Sequence, residues 1–183
     1  MGILHELLKD IPIPKMAKVR QSFSDEKIED VPGTLKQELE KEGVAEFVKP
    51  GMEIAIAVGS RGTDRLVDVT RVTVEFLKEL GAKPFIVPSM GSHGGATAEG
   101  QKAVLEHLGV TEETVGAEIR SSMEVIQIGQ LENGLPVYID KFASEADGIV
   151  VINRVKPHTA FRGPVESGIM KMISIGLGKQ KGA

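Results

Sequence analysis

Hydrophobic residues recur along this chain at two spacings, and the switches between them outline its elements. The run "MEIAIAVG" (residues 52–59) is short, apolar and β-rich, as a buried strand is. "TDRLVDVTRVTVEFLKELG" follows, with Leu66, Val69, Thr73, Leu77 and Leu80 on one helical face and Gly81 as a stop. "PFIVPS" and "TAEGQKAVLEHLG" repeat the order of strand and glycine-ended helix. "MEVIQIGQLENGLPVYID" sets Asn133-Gly134 between two β-like runs, which predicts a hairpin. "GIVVIN" (residues 148–153) is almost continuously apolar, as strands in the middle of a covered parallel sheet are. "PVESGIMKMISIGLG" reads as an apolar helix.

The first fifty residues are less regular. "ILHELLKD" has a helical pattern, Pro12 and Pro14 break it, and "MAKVRQSF" alternates like a strand. "PGTLKQELEKEGV" reads as a helix with a charged outer face, opened at residues 32–34 and stopped near Gly43. Strand–helix alternation with short connections predicts an α/β fold. Its sheet is mostly parallel and Rossmann-like, flanked by helices, with an added β-hairpin. No repeat, low-complexity tract or linker interrupts the pattern, so residues 1–183 read as a single domain.

Composition narrows the function. Apolar residues make up 41 % and charged residues 26 %, ordinary for a soluble globular protein. Net charge is −4 with no basic block, Trp is absent and Tyr138 is the only tyrosine, which argues against nucleic acid as a partner. Without cysteine there can be no disulfide, no thiolate nucleophile and no cysteine zinc site. No basic start with an apolar core opens the chain and no apolar run could span a bilayer, so a cytoplasmic protein without a membrane partner is expected.

In an open parallel sheet, ligands bind beyond the carboxyl ends of the strands. The residues following the three parallel-type strands are therefore the candidates. They are Gly59-Ser60-Arg61-Gly62, then Ser89-Met90-Gly91-Ser92-His93-Gly94-Gly95, then Arg154-Val155-Lys156-Pro157-His158. Two of the chain's four histidines, His93 and His158, stand in these loops; His5 and His107 sit in helical patterns and read as structural or solvated. Glycines beside His93 can simply shape a turn and Thr97 can simply cap a helix. Pro157 can simply stiffen a surface loop around His158. Yet both imidazoles at strand ends could serve as acid or base near neutral pH. Arg61, between glycines ahead of a helix, suits an anion. Lys171 is the only charged residue between Glu166 and Lys179. It either snorkels its head to solvent or offers an amine as base or covalent anchor. Ser92 beside His93 makes no triad, and neither G-x-S-x-G nor the P-loop spacing occurs. Two imidazoles without H-E-x-x-H or H-x-H spacing also speak against a metal-dependent hydrolase.

"GSHGGATAEGQ" (residues 91–101) and "VKPHTAFRGPVESGIMKM" (residues 155–172) resemble the N-terminal domain of the nickel-dependent lactate racemase family, 2-hydroxyacid racemases and epimerases. The likeness runs from about Met52 to the chain end. It implies an isomerase whose cofactor, a nickel-pincer nucleotide, is tethered to a lysine. By match of motif, His93 and His158 are the catalytic acid/bases and Lys171 the tether. Ser60, Arg61, Gly94 and Gly95 are expected to bind the cofactor, Arg61 by holding the anionic end of the small 2-hydroxyacid substrate or of the cofactor. No metal ligand is assigned, because the family's nickel-binding histidine follows its lysine and no histidine follows His158 here. A C-terminal domain of the same protein is the implied partner, and this chain alone is expected to be inactive. The alternative is a non-catalytic nucleotide- or anion-binding module built on the same glycine turns.

Overall fold

A computed structural model describes residues 2–41, 43, 45–160 and 162–183. Its centre is a three-stranded parallel sheet. β1 (Glu53–Val58) lies between β2 (Lys83–Pro88) and β5 (Gly148–Ile152), giving the order β2-β1-β5. α1 (Ile3–Leu8) and α2 (Val31–Leu39) precede the sheet, and α3 (Leu66–Glu79) connects β1 to β2. α4 (Ala98–His107) and α5 (Glu112–Val115) follow β2. The hairpin β3 (Val125–Gln130) and β4 (Pro136–Asp140) then leads through α6 (Lys141–Glu145) into β5. This is the α/β architecture expected, with the hairpin as a sheet of its own.

Alternation along β1 explains why both faces are covered. Ile54, Ile56 and Val58 pack with Leu66, Val74, Leu77, Leu105 and Val115 from the α3–α5 side. Ala55 and Ala57 face Phe85, Val87, Ala143 and Leu177 on the other. Successive strand side chains point to opposite faces, so a run apolar at every position must be buried twice. α3 carries two threonines into this core; Thr70 and Thr73 each return their hydroxyl to a carbonyl four residues back at 2.8 Å, which satisfies it.

Several boundaries differ from the expectation. "MAKVRQSF" forms no strand: Met16, Val19 and Phe23 are 89, 81 and 78 % exposed, and no neighbouring edge meets them among the described residues. β5 lies at a sheet edge, not in the middle, with Ile149 39 % exposed. α2 opens as expected, Asp30 accepting the Gly33 N–H at 3.0 Å. It stops at Leu39, short of Gly43; Glu42 and Val44 of that segment lie outside the described residues. The last apolar segment becomes helical only at α7 (Ile169–Lys171), after Gly168 with φ +75°, and widens into a π-turn over Met172–Gly176. Among the described residues no helix is long and apolar enough to cross a membrane.

Gly176 makes the π-turn possible against β2. A Cβ there would run into Ser89, meeting its Oγ and coming within 2.9 Å of its carbonyl oxygen and 3.1 Å of its carbonyl carbon. Backbone cannot swing aside as a flexible side chain would. Gly176→Ala is therefore expected to destabilise the fold by about 1–3 kcal/mol, read from the urea midpoint; an unmoved midpoint would show that the contact relaxes freely.

Candidate functional site

β1, β2 and β5 run parallel, so their carboxyl ends share one edge of the sheet and the loops leaving them are neighbours. Those loops and the segment around α7 enclose a cavity of about 530 Å³. Ser60 and Arg61 enter from the loop after β1, His93 from the loop after β2, and His158 from the loop after β5. Lys171 enters from α7. Five of the seven residues singled out from the sequence thus line one space. Gly94 and Gly95 do not. Gly94, at φ +64°, packs against the start of α4, where a Cβ would come within 2.5 Å of the Gly100 carbonyl carbon. Gly95, at φ +66°, faces open space. Both shape the turn instead of lining the cavity, as Thr97 caps α4 by accepting the Gly100 N–H at 3.0 Å. His5 and His107 are exposed on their helices, as expected.

The two site histidines are held differently. Ser60 Oγ lies 2.6 Å from His93 Nδ1. A hydroxyl can donate to a bare Nδ1 or accept from an Nδ1–H, so it holds the ring in either protonation state and leaves Nε2 for a ligand. In His158, Nδ1 accepts the Ala160 N–H at 3.1 Å, which places the proton of the neutral ring on Nε2. Glu166 knots that loop: its carboxylate accepts the His158 N–H at 2.9 Å and the Gly163 N–H at 3.2 Å. Arg162 adds a bond to the His158 carbonyl at 2.6 Å. Phe161, within the same motif, lies outside the described residues.

Lys171 is exposed at the cavity wall, its amine open to a ligand. Its neighbours Ile169, Met170, Ile173 and Ile175 are exposed by 38–55 %. Arg61, Arg154, Lys156 and Lys171 all line the cavity, and among the described residues no Asp or Glu does.

Beneath the His93 loop lies a buried polar network that sequence reasoning missed. Lys179 and Asp140 are both wholly buried, with Nζ 3.2 Å from Oδ2. Lys179 Nζ also donates to the Pro88 carbonyl at 2.5 Å and to Gln101 Oε1 at 3.0 Å. Gln101 passes the chain on, donating through Nε2 to the carbonyls of Gly91 at 2.8 Å and His93 at 3.3 Å. Burial pushes the Asp140 carboxyl up and the Lys179 ammonium down, each opposed by the partner's charge. The Gly91 N–H donates to the Gly176 carbonyl at 3.1 Å and Ser89 Oγ to the Met172 carbonyl at 3.1 Å. The segment carrying Lys171 is thereby fastened to the loop carrying His93. A lysine between glycines and glutamine offers no pattern from which this could be read. Arg154 and Lys156 stood in the candidate loop after β5 without an assigned role, and Asn153 was read as the end of the strand; all three line the cavity.

Compared with known protein families, the chain matches the lactate racemase N-terminal domain over residues 8–181, starting well before the resemblance seen from residue 52 onward. Neither a curated protein nor a solved structure matches it.

Proposed function

The chain belongs to the lactate racemase N-terminal domain family, and from that membership we propose that it carries the reaction site of a racemase or epimerase of a small 2-hydroxyacid. The observation that carries this reading is the meeting of His93, His158 and Lys171 around one cavity. Parallel topology brings the two loops to one edge, but it does not dictate that they carry imidazoles or that α7 adds an amine to the same space.

The residues suit a tethered nickel-pincer nucleotide in part. Lys171 offers an accessible amine for the covalent link, and Arg61, beside Ser60 ahead of α3, offers charge to an anionic group. Among the described residues no cluster of three or more His, Cys, Asp or Glu could hold a metal ion, so nickel would rely on donors brought by the organic group and by residues outside this chain. When bound, the group would supply a two-electron acceptor for C2 of the hydroxyacid. The chain's own residues manage the hydroxyl proton. With Nδ1–H donating to Ser60 Oγ, His93 presents a basic Nε2, while His158, its Nδ1 accepting the Ala160 N–H, carries a proton on Nε2. Racemisation needs a proton-handling group for each enantiomer, and two imidazoles on separate loops meet that need. A further domain of the complete protein would shut the cavity from water.

The test is mass spectrometry of the complete protein, coproduced with the enzymes that make the cofactor. A nucleotide adduct on Lys171 is expected, with Lys171→Arg unmodified and inactive. Racemase activity with an unmodified Lys171 would refute the tether. Ligand binding with neither adduct nor turnover of any 2-hydroxyacid would favour the alternative, a non-catalytic nucleotide- or anion-binding module.

A further inference from the structure

The wall that follows β5 carries more than His158. Asn153, Arg154 and Lys156 line the same cavity. Asn153 Nδ2 is buried and has no hydrogen-bond partner among the described residues. Folded proteins rarely leave a buried amide donor unmatched, and one that persists in a cavity wall is poised for a ligand atom. Arg154 and Lys156 make no ion pair or hydrogen bond with any described residue, and neither does Arg61. The chain as a whole is acidic, 26 carboxylates against 22 basic side chains, yet among the described residues the cavity lining holds four cations and no carboxylate. That reversal of sign is local, and it focuses positive potential into a concave, partly apolar space.

The cations fall into two places. Arg61 stands in the loop after β1, and Arg154 and Lys156 stand in the loop after β5, next to the unmatched amide. We propose that Asn153, Arg154 and Lys156 form a second oxyanion subsite, separate from Arg61, that takes a carboxylate or phosphate terminus of the bound ligand. The guanidinium fork of Arg154 matches two oxygens of either group, Lys156 adds a point charge, and the Asn153 amide donates to an oxygen that reaches the wall. This rests on the reading above only in sharing its cavity. Two sources share the chemistry: a second acidic group on the hydroxyacid, or the phosphate of a nucleotide.

The experiment is calorimetry on the complete, cofactor-free protein at low ionic strength. Lactate serves as a monoanion, malate as a 2-hydroxy dicarboxylate, and inorganic phosphate as the third probe. Malate is expected to bind about tenfold more tightly than lactate, a preference that Arg154→Gln/Lys156→Gln removes and Arg61→Gln keeps. Phosphate binding that the same double variant weakens about tenfold, without a malate preference, would assign the subsite to the nucleotide phosphate and equally support it. The proposal is overturned if none of the three probes binds, or if the double variant leaves their affinities unchanged.

Asn153→Leu separates binding from folding. It removes an unmatched buried donor at nearly constant volume, so the melting temperature is expected to hold or rise while affinity for the preferred probe falls several-fold. A lower melting temperature with unchanged affinity would make Asn153 a structural residue and remove it from the subsite. None of these readouts needs turnover or an adduct. A protein that shows them yet neither modifies Lys171 nor turns over any 2-hydroxyacid would sink the racemase reading and leave the subsite standing.

Discussion

In the complete, cofactor-loaded protein, His93→Gln is expected to lower racemisation by about 10²- to 10⁴-fold, the range over which a positioned acid/base contributes. Glutamine keeps the polarity and much of the volume of imidazole but cannot exchange a proton near neutral pH. His93 is exposed and among the described residues its one side-chain bond is to Ser60 Oγ, so the fold should hardly notice; surface changes of this kind stay within about 0.5 kcal/mol. His158→Gln is expected to behave alike in turnover. The informative result is therefore a pair of values, a collapsed kcat beside an unmoved melting temperature. Turnover within about threefold of the parent for either variant would deny that histidine a proton-handling role, whatever happens to binding.

The second large effect concerns stability. Lys179→Met strands the Asp140 carboxylate in a fully buried position and strips Pro88 and Gln101 of their donor. Breaking one side of a buried pair costs about 3–5 kcal/mol, a large share of a domain's typical total of about 5–15 kcal/mol. Replacing both partners, Lys179→Met with Asp140→Leu, is expected to recover most of the loss, because no unmatched charge remains. Asp140 also caps α6 by accepting the Ala143 N–H at 2.9 Å, so recovery should stop short of the parent. The pH dependence has a definite sign. A raised Asp140 favours the folded state most below the ordinary carboxylate value of 3.8, and that contribution fades as pH rises through the raised value. A lowered Lys179 contributes most above 10.5, and its contribution fades as pH falls through the lowered value. Each partner's charge opposes the other's desolvation, so removing one leaves the other buried without that compensation. Denaturant unfolding of both single variants and of the double variant decides it: a double-variant loss equal to the sum of the two single losses would show that the charges do not depend on each other.

How far the sequence reaches can be judged residue by residue. β1, β2 and α3 were legible because each buries its own pattern: period two with both faces apolar in the strands, and one apolar stripe in the helix. The hairpin was legible because Asn133-Gly134 supplies the turn, with Gly134 at φ +86°. "MAKVRQSF" misled because alternation describes what a strand would do beside an edge, and among the described residues no edge lies beside residues 16–23. The place of β5 was misjudged because apolar content reports burial and not rank in the sheet. In the site, Ser60, Arg61, His93 and His158 could be picked out because parallel strands send their following loops to a common edge, and Lys171 because it is the only charge in an apolar run. Gly94 and Gly95 looked like lining residues only because they adjoin His93.

Local pattern, then, determined the elements, the α/β class and which loops hold reactive side chains, since those follow from periodicity and from the direction of parallel strands. Tertiary packing alone decided that Ser60 clasps His93 and that Asn153 keeps an unmatched donor. It also decided that a lysine near the chain end reaches under the His93 loop to bind Pro88, Gln101 and Asp140. Such contacts join residues 33 to 91 positions apart, and their energies depend on burial and angle, which no run of neighbouring letters encodes.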